Sequence, residues 1–169
     1  MPELGNRVAR LEDRANLNDL VARYFLAVDG DDISGLNDIF TYDATFSVSG
    51  ALCGADRDKV IAFLVEQRSS MGLTLHTPNY GLFTLTGVDS ADGLVGAHLE
   101  MVLGGVSYFG AVRYQDSYRR VNHEWRIAKR DMRTIHVAPW AEVAEAFSSP
   151  HPVRWPGIDP AASDFPPKA

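Results

Sequence analysis

Cysteine is nearly absent: the 169-residue chain has only Cys53, which excludes an internal disulfide and any zinc site built on several thiolates. That composition fits a reducing compartment, and the cytoplasm is the expected location. No run of 18 apolar residues occurs, and the N-terminal stretch MPELGNRVARLEDRAN is charged without an apolar h-region, so neither a membrane span nor an ordinary export signal is expected. Positive charge is in short supply as well. Lys and Arg number 16 against 22 Asp and Glu, a balance of −6 with no basic stripe, and the electrostatic footprint of a DNA or RNA binder is missing. No glycine-rich loop follows a strand and opens a helix, which leaves a nucleotide cofactor without a phosphate cradle. There is no GxSxG elbow, no reactive-cysteine context and no internal repeat.

What is present suits one ordinary domain with a good core, since a chain of this size buries roughly 68–70% of the surface that its unfolded form exposes. Leu17, Leu20, Val21, Tyr24, Phe25 and Val28 recur at three- and four-residue spacing and predict an amphipathic helix over 9–29, ended by Gly30. Asp32 or Asp31 can cap a short second helix carrying Ile33, Leu36, Ile39 and Phe40. A strand is expected over 44–48, a loop over 49–55, and a third helix capped by Asp56. Strand patterns then fill 73–85, 94–103, 106–119 and 125–137, with short turn-rich links that read as an antiparallel meander. Helices first and a curled sheet after make an α+β architecture in which the helices cover one concave face. We take 1–147 as the domain. Residues 148–169 hold six of the nine prolines and form a tail, either a surface wrap or disordered.

Ionisable residues stand where apolar ones belong: Tyr24 and Asp29 on the first helix, His76 and His98 in strands, Arg133 in the last strand. Burying such groups costs several kcal/mol unless they are paired, so a lined pocket is expected. Period-2 alternation puts His76 with Pro78, Tyr80 and Leu82, and His98 with Glu100 and Val102. It puts Tyr108 with Gly110, Val112, Tyr114 and Asp116. Arg133 alternates with Trp125, Ile127 and Ile135 on an apolar face, where it needs an anionic ligand or a partner such as Asp131 or Asp29. On the opposite parity Leu99, Met101, Leu103, Phe109 and Ala111 form an outward apolar strip that predicts a homodimer or homotrimer.

The runs YFLAVDGDDISGLNDIF, DATFSVSG, LHTPNY and SYRRVNHEWRIAKRDMR resemble the SnoaL-like branch of the NTF2-like superfamily over about residues 8–146. The resemblance implies a cone-shaped α+β barrel with a deep apolar pocket, no metal and no cofactor. Two dehydratases of that branch are nearest in layout. Bile acid 7α-dehydratase is similar at Tyr24, Asp29, His76 and Arg133; scytalone dehydratase is similar at Asp29 and His76, with a second pocket histidine at His98. The carboxylate of the steroid enzyme falls near Val102, with Glu100 one step away. The serine and asparagine of scytalone dehydratase fall near Val112 and Tyr114, and its first pocket tyrosine near Val28.

These positions imply a hydro-lyase. A carboxylate on one ring nitrogen fixes a histidine tautomer and raises its basicity, the pairing that an acid–base histidine needs, and Asp29 with His76 supplies it. Tyr24 would donate to a developing oxyanion or to the leaving hydroxyl. His98 is a second proton shuttle or a structural hydrogen bonder. Val48, Val102, Tyr108, Val112, Tyr114, Glu100 and Arg133 would contact an apolar small-molecule substrate, a hydroxylated cyclic ketone or enone of steroid-like or polyketide-like skeleton. A facial metal triad of His76, His98 and Asp29 lacks a local ligand pair. The alternatives are an isomerase or polyketide cyclase using the same chemistry, and a non-catalytic ligand-binding or assembly module. An enzyme keeps the His76–Asp29 pair open to a cavity, whereas a module fills that cavity with side chains.

Overall fold

The computed structural model describes residues 4–165. Helix α1 spans Leu4–Asp29 and buries Leu17, Leu20, Val21, Tyr24, Phe25 and Val28, the stripe that the spacing predicts. Its first turns are exposed, Leu4, Val8 and Leu11 included, and take no part in the core. Asp32 caps α2 (Ile33–Ile39) by accepting from the Gly35 amide at 2.9 Å, and Asp56 caps α3 (Arg57–Ser69) by accepting from the Lys59 amide at 2.9 Å. Among the described residues no helix is long and apolar enough to cross a membrane.

Six strands follow or interleave: β1 (Phe40–Val48), β2 (Ala51–Gly54), β3 (Met71–Leu85), β4 (Ser90–Leu103), β5 (Val106–Val121) and β6 (Glu124–Pro139). They form one curved, unclosed sheet in the order β2-β1-β6-β5-β4-β3, with β1–β6 the parallel pair and the other neighbours antiparallel. The concave face wraps α1, giving the expected mixed α+β fold. Two local expectations are corrected. Phe40 starts β1 opposite Ile127 and does not belong to α2. The stretch expected as a loop contains β2, because Ser49 (φ 51°) and Gly50 (φ 81°) make a two-residue turn with positive φ at both positions, the geometry that folds a strand back on itself.

Parity along the strands differs from the expectation in three places. In β4 the apolar set Leu99, Met101 and Leu103 is buried, so His98, Glu100 and Val102 face outward, the reverse of the expectation. The proposed outward strip thereby loses three of its members to the core and keeps Phe109 and Ala111. In β3 a register shift between Pro78 and Tyr80 leaves Asn79 unpaired, turning Tyr80 outward and bringing Phe83 into the core. In β6 the pairing passes from Tyr118↔Ile127 to Ser117↔Lys129, so Ala128 is an extra residue in the strand. Such a bulge flips the side chains that follow it, here as far as Ile135, a second extra residue that restores the original face. Arg130 therefore points inward opposite Asp116, and Arg133 lies outward opposite Arg113.

After β6 a 3₁₀ turn (Trp140–Glu142) and α4 (Val143–Ser148) pack on the outer face, where the Phe147 ring lies 5.0 Å from that of His136. The tail then wraps back along the edge of β6. Val153 bridges Val137 on one side and Ala161 on the other, and the Asp164 carboxylate accepts from the Thr134 amide and the Ser49 hydroxyl, both at 2.7 Å.

Candidate active site

The concave face of the sheet leaves a cavity of about 480 Å³ between α1, α3 and the strands. Its walls are mainly apolar: Val28 from α1, Phe46 and Val48 from β1, Phe63 and Leu64 from α3, Met71 from β3, Leu99, Met101 and Leu103 from β4, and Met132 from β6. Trp155 and Pro156 of the tail complete the lining, and Tyr24, Arg68, Thr74, His76 and Tyr114 are among its polar members.

At this cavity, the end of α1 meets β3. His76 Nδ1 lies 2.7 Å from Asp29 Oδ1, and the His76 backbone amide donates to Oδ2 at 2.8 Å. The Thr74 hydroxyl donates to Oδ1 at 2.9 Å. Burial pushes the Asp29 carboxyl up, but the hydrogen bonds and charge of His76 and the Thr74 hydroxyl outweigh it and hold the group below the ordinary carboxylate range. An ionised Asp29 accepts only, so the network assigns the ring proton to Nδ1 and leaves the Nε2 lone pair for a ligand. The imidazole is held flat by Phe25, whose ring stacks on it at 5.0 Å and 13°.

Tyr24 sits one α-helical turn before Val28 on the same buried stripe. The Arg130 guanidinium lies 4.1 Å from its ring centroid and 4.5 Å from that of Tyr114. Fully buried Arg130 is paired bidentately with Asp116, Nε at 2.9 Å and Nη2 at 2.7 Å, and the Tyr118 hydroxyl donates to the same carboxylate at 2.6 Å. Burial pushes the Tyr24 phenol up while Arg130 pulls it down; burial wins, so Tyr24 is a neutral donor at physiological pH.

Tyr24, His76, Val48 and Tyr114 thus line one cavity, with Asp29 held behind His76 and Glu100 at the border; the other expected positions do not reach it. His98 is on the outer face, its amide donating to Asn79 Oδ1 at 3.1 Å and its ring 5.2 Å from Phe109, because β4 buries the opposite parity. The set of His76, His98 and Asp29 is therefore not assembled at one point, and no group of three metal-ligating side chains occurs among the described residues. Glu100 borders the cavity, and its side chain is exposed and shares the outward parity of His98. Val102 is outward too. Tyr108 and Val112 are buried in the core without lining the cavity. Arg133 pairs outside with Asp131 at 2.6 Å, as one of its two expected alternatives.

Sequence reasoning passed over Thr74, Arg68, Arg130 and Trp155. Thr74 was within reach: it is two residues before His76 and must share its face. Arg130 was hidden by the Ala128 bulge, and Trp155 by its place in a proline-rich tail without periodicity.

The profile of the SnoaL-like domain matches residues 9–131. The chain belongs to the SnoaL-like family. Several solved structures of this fold are similar. LinA is 22% identical, covering 80% of this chain and 94% of that one with a TM-score of 0.75. The hexachlorocyclohexane dehydrochlorinase LinA-type3 from Novosphingobium barchaimii is 21% identical, covering 80% and 94% with a TM-score of 0.73. A scytalone-dehydratase-like protein from Novosphingobium aromaticivorans is 15% identical, covering 79% and 91% with a TM-score of 0.74. No curated protein matches the chain significantly in sequence. The SnoaL-like match ends in β6, so the strap that brings Trp155 to the cavity lies outside it.

Proposed function

We propose that this SnoaL-like protein is a cofactor-independent lyase that removes water from a hydroxylated cyclic ketone or enone of steroid-like or polyketide-like skeleton. The observation that carries this reading is the His76–Asp29 pair, with Nδ1 engaged by a carboxylate and the ring lining an apolar cavity of about 480 Å³. His76 Nε2 takes the proton from the carbon next to the carbonyl. The C–H electron pair first moves into the carbonyl as an enolate; its collapse forms the new C=C bond as the C–O bond to the hydroxyl breaks, and the imidazolium returns its proton to the departing hydroxide as water. Tyr24 donates to the carbonyl oxygen as charge develops there. General acid–base catalysis supplies about 10²–10⁴-fold and one oxyanion donor about 10²–10³-fold more. That a hexachlorocyclohexane dehydrochlorinase and a scytalone-dehydratase-like protein share the fold supports an elimination, since both names describe one.

With His98 on the outer face, one histidine must both take and return the proton. The same economy favours a second reading, an isomerase in which the proton returns to carbon and the double bond shifts. An open cavity speaks against a module that fills it with side chains. A panel of cyclic hydroxy-ketones, followed by mass spectrometry, tests both: loss of one water marks the lyase, and a product of unchanged mass marks the isomerase. His76→Ala is expected to lower kcat by at least ~10²-fold. Wild-type turnover in that variant would reduce the pocket to a binding site.

A further inference from the structure

We propose that Thr74, with its hydroxyl oriented by Arg68, is a positioning residue for the His76–Asp29 pair, an inference that rests on the reading of His76 as the base. Arg68 Nη1 lies 3.0 Å from Thr74 Oγ1 and 3.2 Å from the Gly72 carbonyl, while Nε and Nη2 grip the Asp31 carboxylate at 2.8 and 3.0 Å. A guanidinium has donors and no acceptor. The Thr74 oxygen must therefore accept from Arg68, and its single proton is left for Asp29 Oδ1 at 2.9 Å. The result is a directed chain: Arg68 donates to Thr74, Thr74 donates to Asp29, and Asp29 receives the His76 ring proton on the same oxygen.

The chain joins three elements at the cavity. Asp29 ends α1, Arg68 is in the last turn of α3, and Thr74 and His76 are adjacent inward positions of β3. Asp31, in a left-handed conformation with φ 55°, anchors the far side of the guanidinium, so the turn after α1 is tied to α3 as well. Thr74 is 6% exposed, and its hydroxyl cannot exchange these partners for water freely. Two donors on Oδ1 and one on Oδ2 fix the plane of the carboxylate, and that plane sets the direction of the His76 ring. The charged and titratable groups around Asp29 are His76 from β3, Arg68 from α3, Asp31 from the following turn, Tyr24 from α1 and Tyr114 from β5.

The test is a carbon-13 carboxyl NMR titration of Asp29 in the full-length protein and in Thr74→Val, Thr74→Ser and Thr74→Ala. Loss of the hydroxyl should move the Asp29 titration upward by about one pH unit, because one donor to the charged form is gone. Thr74→Ser should restore the wild-type curve, which a purely packing role of the methyl group would not do. Thr74→Ala gives the same reading should the valine variant fail to fold. An Asp29 titration that stays in place in a folded Thr74→Val or Thr74→Ala overturns the proposal. The titration needs no substrate, so its failure is separate from the failure of the lyase reading, which shows as undiminished turnover in His76→Ala.

Discussion

Asp29 does two things at once: it orients the base, and its ionised form is favoured by folding. Because its folded pKa is depressed, it contributes stability that is fully present above the unfolded carboxylate pKa of about 3.9 and lost as the pH falls through the lower folded value. Asp29→Asn should remove that acid-side dependence from urea unfolding curves recorded between about pH 4 and 2, and should cost kcat more than KM, since the carboxylate matters most when the ring is charged. A curve of unchanged acid-side shape would contradict the pairing. Arg130 is bound by different physics. Replacing it with Met strands the Asp116 carboxylate in the core, at an expected cost of about 3–5 kcal/mol, and adding Asp116→Leu with Tyr118→Phe should recover much of it by removing the orphaned partners. Urea denaturation of the single and combined variants measures both. Tyr24, Asp29 and His76 were legible in the sequence because each is a polar residue on a stripe or motif that its neighbours define. Arg130 was not, since only a fold reveals where a strand gains a residue.

Strand β4 is where parity makes the sharpest difference. Val102→Asp would restore a carboxylate at the position suggested by the steroid enzyme, yet Val102 faces outward, so the substitution should leave turnover unchanged and stability within about 0.5 kcal/mol. Met101→Asp, one residue earlier on the buried face, should lower stability by about 2–4 kcal/mol for want of a partner. Thermal unfolding of the two variants decides between the parities, and the opposite ranking would restore the face first expected. The tail offers the complementary case. Val153 pairs with β6, Arg154 reaches Glu142 at 2.9 Å and Glu145 at 3.3 Å, and Trp155, next after these anchors, lines the cavity. Trp155→Ala should weaken binding of 1-decalone about tenfold in calorimetry, for ~55 Å² of lost apolar contact at about 25 cal/mol/Å². The proline content announced a segment without regular structure, and it could not announce what that segment would cover.

Across the whole molecule, binding and chemistry can be separated because the cavity is built mostly from apolar walls that the base does not touch. An apolar cyclic ketone at about a hundred times its Kd should stabilise the fold by about 2.7 kcal/mol, and His76→Ala should keep most of that gain while losing turnover. A shift that disappears in His76→Ala would mean that the ring itself holds the ligand. The sequence by itself determined the α+β order, the buried stripe of α1, the caps of α2 and α3, and the candidate pair Asp29 and His76, because periods of 3.6 and 2 and short-range capping are local properties. The tertiary structure decided which face of each long strand is inside. Single unpaired residues at Asn79, Ala128 and Ile135 each invert the stretch that follows, Ile135 undoing the shift made at Ala128, and their positions are fixed by pairing with the neighbouring strand. It also decided that His98 and Arg133 lie outside while Arg130, Thr74 and Trp155 converge on the site. A side chain's address depends on the partner strand and the curvature of the whole sheet, which no local pattern of residues contains.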